Sequence, residues 1–320
     1  MFRNVILLLS VALGTPDAAV LMADSPESAI DFAAPIRITS ELVAEVPDPK
    51  FVTKNGKALD ESAIEESLSS IVRRWGFDRF TRDSMVAPFA LDLDSIPDAN
   101  GRRVGHLVDV VFVVHVPLND LRDEGALRRL AGINDDVEND VVATEEDDPT
   151  DVSSARRLTP EEIASHNLPN EIGYARIRFP LIAKLVLSGV AFGDSLDSGD
   201  DPSAPIIIRF GLDPSFTDEA QLPDNAASDL GLVNAWAKIE RDDRGAKTLG
   251  AWQSYEGLGG YLTVVSVPGK ENASLIHLVL AIHEPKKWFN GAPLLRSKLP
   301  LVIQDRVRGF RREIAARKSQ

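Results

Sequence analysis

The sequence predicts an α+β fold in which a curved antiparallel β-sheet packs against a long carboxy-terminal amphipathic helix. Three observations predict it. Strand-like runs recur in pairs between Leu232 and His283, Glu284-Pro285 and a tryptophan-bearing connection end them, and from Pro300 onward apolar residues recur at helical period.

Met1-Phe2-Arg3 is a short basic start, Val5 to Leu13 is an apolar run of signal-peptide length, and small residues follow to Ala23. This is the pattern of an export signal over residues 1–23, cleaved near Ala23 or Ala19. Pro16 and Asp17 cut the run short of the ~20 apolar residues a bilayer span needs. Residues 24–58, with Pro26, Pro35, Pro47 and Pro49 and little periodicity, read as an extended arm that wraps the surface or stays loose. The apolar runs from Val104 to Ile314 have no linker between them, so residues 59–320 read as a single domain.

Within that domain, Asp60 to Trp75 carries Ile64, Leu68, Ile71, Val72 and Trp75 at helical spacing, with Asp60 and Glu61 suited to the helix start. Val104 to Val116 alternates as a long strand central to the sheet, and Leu118 to Leu130 fits a short helix after Pro117. Thr159-Pro160-Glu161-Glu162 is a helix cap followed by proline at the first helical position. Tyr174 to Phe192 and Pro205 to Leu212 read as strands, the former with a break or bulge at Pro180. Leu232 to Glu240 alternates, Asp242-Asp243-Arg244-Gly245 supplies a turn, and Lys247 to Tyr255 returns. Tyr261 to Val267 and Leu275 to His283 form a second pair around Pro268 to Asn272, so these four strands are expected to run as a meander. The last strand has an aliphatic face of Ile276, Leu278, Leu280 and Ile282 and a mixed face with His277 and His283. Pro300 suits the first turn of the closing helix, where Ile303, Val307, Phe310 and Ile314 make the stripe.

This succession of strand, proline, tryptophan-bearing loop and terminal helix, over roughly residues 173–316, resembles the end of the START-like superfamily, which includes the polyketide cyclase and lipid-transfer helix-grip proteins. The resemblance implies a sheet curled around the last helix with an apolar cavity between them, and it implies no particular catalytic residue. Carried onto this chain, the cavity wall draws on Val264, Leu278, Leu280, Ile303, Val307 and Phe310, with Trp236, Trp252, Tyr255 or Trp288 near a mouth. The same side chains make a solid core if there is no cavity.

Composition bounds the chemistry. With no cysteine there are no disulfides, thiolate metal sites or lipidated cysteine anchors. Asp135 to Asp151 holds nine acidic residues and no basic one, which makes the 134–154 stretch a solvated, disordered loop. Lys286 to Gln320 has ten Lys/Arg against two Asp/Glu, a local +8 that leaves −22 on the rest of a chain totalling −14. The basic helix either docks on the acidic body or meets an anionic surface, and the acidic total argues against nucleic acid as a partner. No G-x-S-x-G elbow, H-E-x-x-H helix or phosphate loop is present, and Gly257-Leu258-Gly259-Gly260 precedes a strand and lacks the lysine. His277 and His283 lie about 20 Å apart at strand rise, too far for one metal. His115 with Asp109 and His283 remain the base candidates. No catalytic residue, metal or cofactor is assigned. The expectation is a secreted or periplasmic, soluble, non-catalytic protein that encloses an apolar or amphipathic small molecule; the alternative is a cell-envelope interaction protein with a filled core.

Overall fold

Alternation of apolar residues along thirteen described strands leaves eleven of them in one open, curled antiparallel sheet, and a computed structural model describes how it is built. Residues 35–53, 55–122, 154–170, 172–196, 201, 203–223, 230–290 and 292–317 are described. The expected export signal, the start of the arm and all of the acidic loop but Ser154 lie outside them. In chain order the elements are β1 (Ile36–Arg37), β2 (Val43–Ala44), α1 (Glu61–Val72), α2 (Phe77–Phe80), β3 (Ala90–Pro97), β4 (Arg103–Val114), α3 (Leu118–Arg122), β5 (Ser154–Arg157), α4 (Pro160–Ser165), β6 (Gly173–Leu181), β7 (Leu185–Leu196), β8 (Ile206–Leu212), β9 (Ala235–Arg241), β10 (Lys247–Leu249), β11 (Gln253–Ser254), β12 (Leu258–Val267), β13 (Lys270–His283) and α5 (Leu294–Arg317).

The main path through the sheet runs β5-β6-β7-β8-β12-β13-β4-β3. Both expected hairpins form: β9 pairs with β10, and β12 pairs with β13 across a two-residue Pro268-Gly269 turn whose glycine has φ +67°. The expected meander does not. β12 pairs on its other side with β8, and β9 pairs with β7, so the two hairpins are separated in the sheet. β7 explains the branch. β6 runs along one edge of it, whereas β9 takes Leu185–Ser188 and β8 takes Ala191–Leu196 of the other. Asn234 fills the gap between them, its Oδ1 accepting from the Val190 amide at 2.8 Å and its Nδ2 donating to the Asp213 carbonyl at 2.7 Å. A Cβ on Gly189 would stand 2.5 Å from that Oδ1, so the plug requires glycine there. Pro180 causes no break or bulge: it stays in register opposite Val186.

Both faces of the sheet are covered. Val108, Val110, Phe112 and Val114 of β4 join Ile276, Leu280 and Ile282 of β13 and the stripe Leu295, Leu299, Ile303, Val307, Phe310 and Ile314 of α5 in the largest core cluster. On the opposite face Val111 and Val113 join Tyr261, Val265, Leu275 and Val279 beneath Ile64, Leu68 and Val72 of α1. The supposedly mixed face of β13 is therefore interior, with His277 and Ala281 fully buried. Asp60 caps α1 by accepting from the Ala63 amide, and Thr159 with Glu162 forms a capping box on α4. The described part of the arm lies on the sheet, with Ile38 and Phe51 fully buried there. α5 begins at Leu294, six residues before the expected start, so Pro300 lies inside it. Leu295 and Leu299 continue the stripe at four-residue spacing, and their burial outweighs the backbone bond the proline removes. Arg311 ties the helix down, donating to the carbonyls of Val113, Ala87 and Pro88 at 3.0, 2.5 and 3.2 Å. No helix among the described residues is long and apolar enough to cross a membrane.

Candidate functional site

Nine of the ten residues named for a cavity wall meet on the α5 side of the sheet. Trp236, Tyr255, Val264, Leu280, Trp288, Ile303, Val307 and Phe310 belong to the large core cluster, and Leu278 packs against it. Trp252 does not join them; it packs with Val186, Val233, Ala235 and Ala237 on the other face of β9. Register explains the convergence, since Leu278 stands opposite Leu262 of β12 and Val110 of β4, with Leu280 two residues along the same face. Phe310 of α5 closes on Phe112 edge-to-face at 6.1 Å.

Leu278 departs from this packing. It lies midway along β13, has strands on both sides and faces the helix, yet it retains partial exposure while Leu262 and Val110 beside it are buried. Its partial exposure sets it apart from Ile276 and Leu280 on the same face, both of which are buried.

At the far end of the same layer, three aromatic rings stack. Tyr255 lies on Trp288 at 5.3 Å and on His283 at 6.0 Å, and Trp236 meets Trp288 edge-on at 6.1 Å. Burial pushes His283 down to about 4 against the opposing pull of Glu284, and its Nδ1 has no hydrogen-bond partner. Trp288 also lines an open hollow of about 240 Å³ with Lys184, Lys238, Ile239, Phe289, Asn290, Ala292 and Leu294. Its Nε1 is buried and has no acceptor among the described residues. Of these lining residues only Trp288 was marked by the sequence. Lys184 escapes detection because the turn before it, Ile182-Ala183, carries no turn chemistry although both residues adopt φ near +54°.

Among the described residues two histidine–carboxylate pairs are present, and neither is the expected one. Asp109 binds His277, not His115, because β4 and β13 are neighbours and place the two side chains diagonally on one face. The Nε2–H of His277 donates to Asp109 at 3.2 Å, its Nδ1 accepts from the Lys50 amide at 3.5 Å, and the Lys50 ammonium reaches Asp109 at 2.6 Å. Burial alone would raise the Asp109 carboxyl, but the bonds from His277 and Lys50 hold it below the usual carboxylate range, while burial keeps His277 neutral at pH 7. His277 is fully buried beneath the arm and out of a substrate's reach, so this network fastens the arm to the sheet. In the second pair His106 Nε2 lies 2.6 Å from Glu284, which also accepts from Arg103, and His106 is likewise fully buried. Among the described residues no three His, Asp or Glu side chains converge as metal ligands.

Comparison with protein-family models and with curated proteins finds no match to this chain.

Proposed function

We propose that this chain is an exported binding protein that encloses an apolar or amphipathic small molecule between the sheet and α5 and carries out no chemistry on it. The observation that carries the reading is the partial exposure of Leu278 at the centre of the sheet, on the face that α5 covers. The helix-grip resemblance supports it by implying an apolar space in that layer. Burial of ligand surface supplies the affinity: about 250 Å² of apolar area contributes ~6 kcal/mol before association costs. The open hollow beside Trp288, a ring of the same core cluster, would serve as the way in.

Native mass spectrometry of the protein purified from its own host without detergent, followed by solvent extraction, tests the reading. A stoichiometric apolar compound released on denaturation is expected. Leu278→Trp, which would fill the proposed space, is expected to abolish binding of the neutral probe N-phenyl-1-naphthylamine while leaving the unfolding midpoint within a few degrees. An empty protein that also fails to bind the probe would overturn the carrier. A second reading, contact with an anionic surface, is favoured by the exposed side of α5, where Arg296, Lys298 and Arg312 stand outward beside exposed Leu301.

A further inference from the structure

We propose that the hollow at the head of α5 is the mouth of the binding site and that it selects amphiphiles bearing an anionic oxygen group. This deepens the carrier reading and rests on it. Four independent features meet there.

The first is charge. The chain totals −14, yet both charged residues lining the hollow are lysines, Lys184 and Lys238. Neither ammonium is engaged in an ion pair among the described residues. Lys286 and Lys287, both exposed, immediately precede Trp288 and add to the positive field. Two unpaired ammoniums over an apolar floor offer charge-assisted bonds to an oxyanion.

The second is an orphaned donor. Trp288 is only 3% exposed, and its indole N–H has no acceptor. A buried donor left unmade costs ~1–3 kcal/mol, and a ligand oxygen that enters as the indole shifts would satisfy it. The third is the apolar wall of Trp288, Phe289, Ile239 and Leu294, which suits the first methylenes of a chain. The same indole stacks on Tyr255 and belongs to the core cluster against which Leu278 packs. At about 240 Å³ the hollow is smaller than the ~300 Å³ and upward of a typical whole-ligand pocket, so it houses a head group with the chain passing inward. The fourth is strain. Ile182 and Ala183, at φ +54° and +53°, lead directly into Lys184, and Asn290, at φ +52°, stands in the wall. A β-branched residue in that region is held there against its preference, as backbone is at ligand-gripping sites.

The test titrates the full-length mature protein with dodecanoate and with dodecanol, each below its aggregation limit, by displacement of N-phenyl-1-naphthylamine. Wild type and the double variant Lys184→Gln, Lys238→Gln are compared. Dodecanoate is expected to bind about tenfold more tightly than dodecanol to wild type, and the double variant to lose that preference while binding dodecanol unchanged. Circular dichroism checks that it folds, and single variants serve if the double does not. Equal binding of both amphiphiles to wild type would overturn the anionic mouth and leave the carrier standing. Binding of neither would overturn both. Binding to phosphatidylglycerol vesicles that depends on the two lysines, without binding of monomeric dodecanoate, would reassign them to a bilayer surface and overturn the mouth.

Discussion

His283 should make the fold acid-sensitive in a way that a single substitution removes. Its ring stacks parallel on Tyr255, its Nδ1 is buried and unpaired, and burial lowers its pKa from 6.5 to about 4 despite the neighbouring Glu284. Between those two values the unfolded chain binds a proton that the native chain refuses, so stability falls as pH falls through that window. At pH 5 the loss from this one group is about 2 kcal/mol relative to pH 7.5, rising to about 3 kcal/mol below pH 4. His283→Phe keeps the stack and the backbone carbonyl that Tyr255 bonds, and removes the titration. Guanidinium unfolding of both proteins at pH 7.5 and pH 5.0, followed by tryptophan fluorescence, isolates the term, since every other group, His277 included, is common to both. The wild type should lose about 2 kcal/mol more than the variant. A difference below about 0.5 kcal/mol would mean that the ring is solvated or paired, and the reasoning from burial would fail.

Three further outcomes follow from the packing. Arg311→Met leaves three carbonyl acceptors at the join of α5, β4 and the 87–88 segment without a donor, and should cost about 2–4 kcal/mol in denaturant unfolding, with Arg311→Lys recovering less than half. Gly309→Ala should stabilise by up to ~1 kcal/mol, because an added Cβ meets no atom within 4 Å and α5 gains helix propensity. Lys50→Met removes the ion pair that holds the arm on Asp109, and should raise hydrogen exchange at Lys50 to Val52 while costing about 1–2 kcal/mol above pH 4. That cost should shrink as pH falls through the depressed Asp109 pKa, where the protonated carboxyl no longer needs the cation.

Local patterns in the sequence carried most of the elements and few of their neighbours. Asp60 and Thr159 mark helix starts through hydrogen bonds within four residues, and Pro268-Gly269 marks a tight turn through its own backbone preferences. A period of two tells which face a residue takes but not which strand lies alongside. Hence the pattern sets β12 beside the β9 hairpin although its partner is β8, and it hides β3, where Asp92 and Asp94 mask a strand that pairs with β4. The Asp109–His277 pair became visible only with β4 and β13 side by side. Pro300 misplaced the helix start because proline favours first turns, although Leu295, Leu299 and Ile303 already shared one face at four-residue spacing. Most of the hollow was out of reach, since its residues come from the β6–β7 turn, β9 and the 288–294 connection, segments brought together only by the fold.

The insertion of the β12–β13 hairpin between β8 and β4 governs when the chain can fold. β4 finds its inner partner only at residues 274–283, roughly 170 positions later, and β8 finds its own only at 259–264. Until that hairpin has been synthesised, the amino-terminal strands β3–β4 and the middle strands β5–β8 are two half-sheets, each with one raw edge and no lid. Loop closure over such distances is slow, and unpaired edges invite aggregation. A polypeptide with its keystone so late cannot close its sheet until β13 has been made and joins the halves.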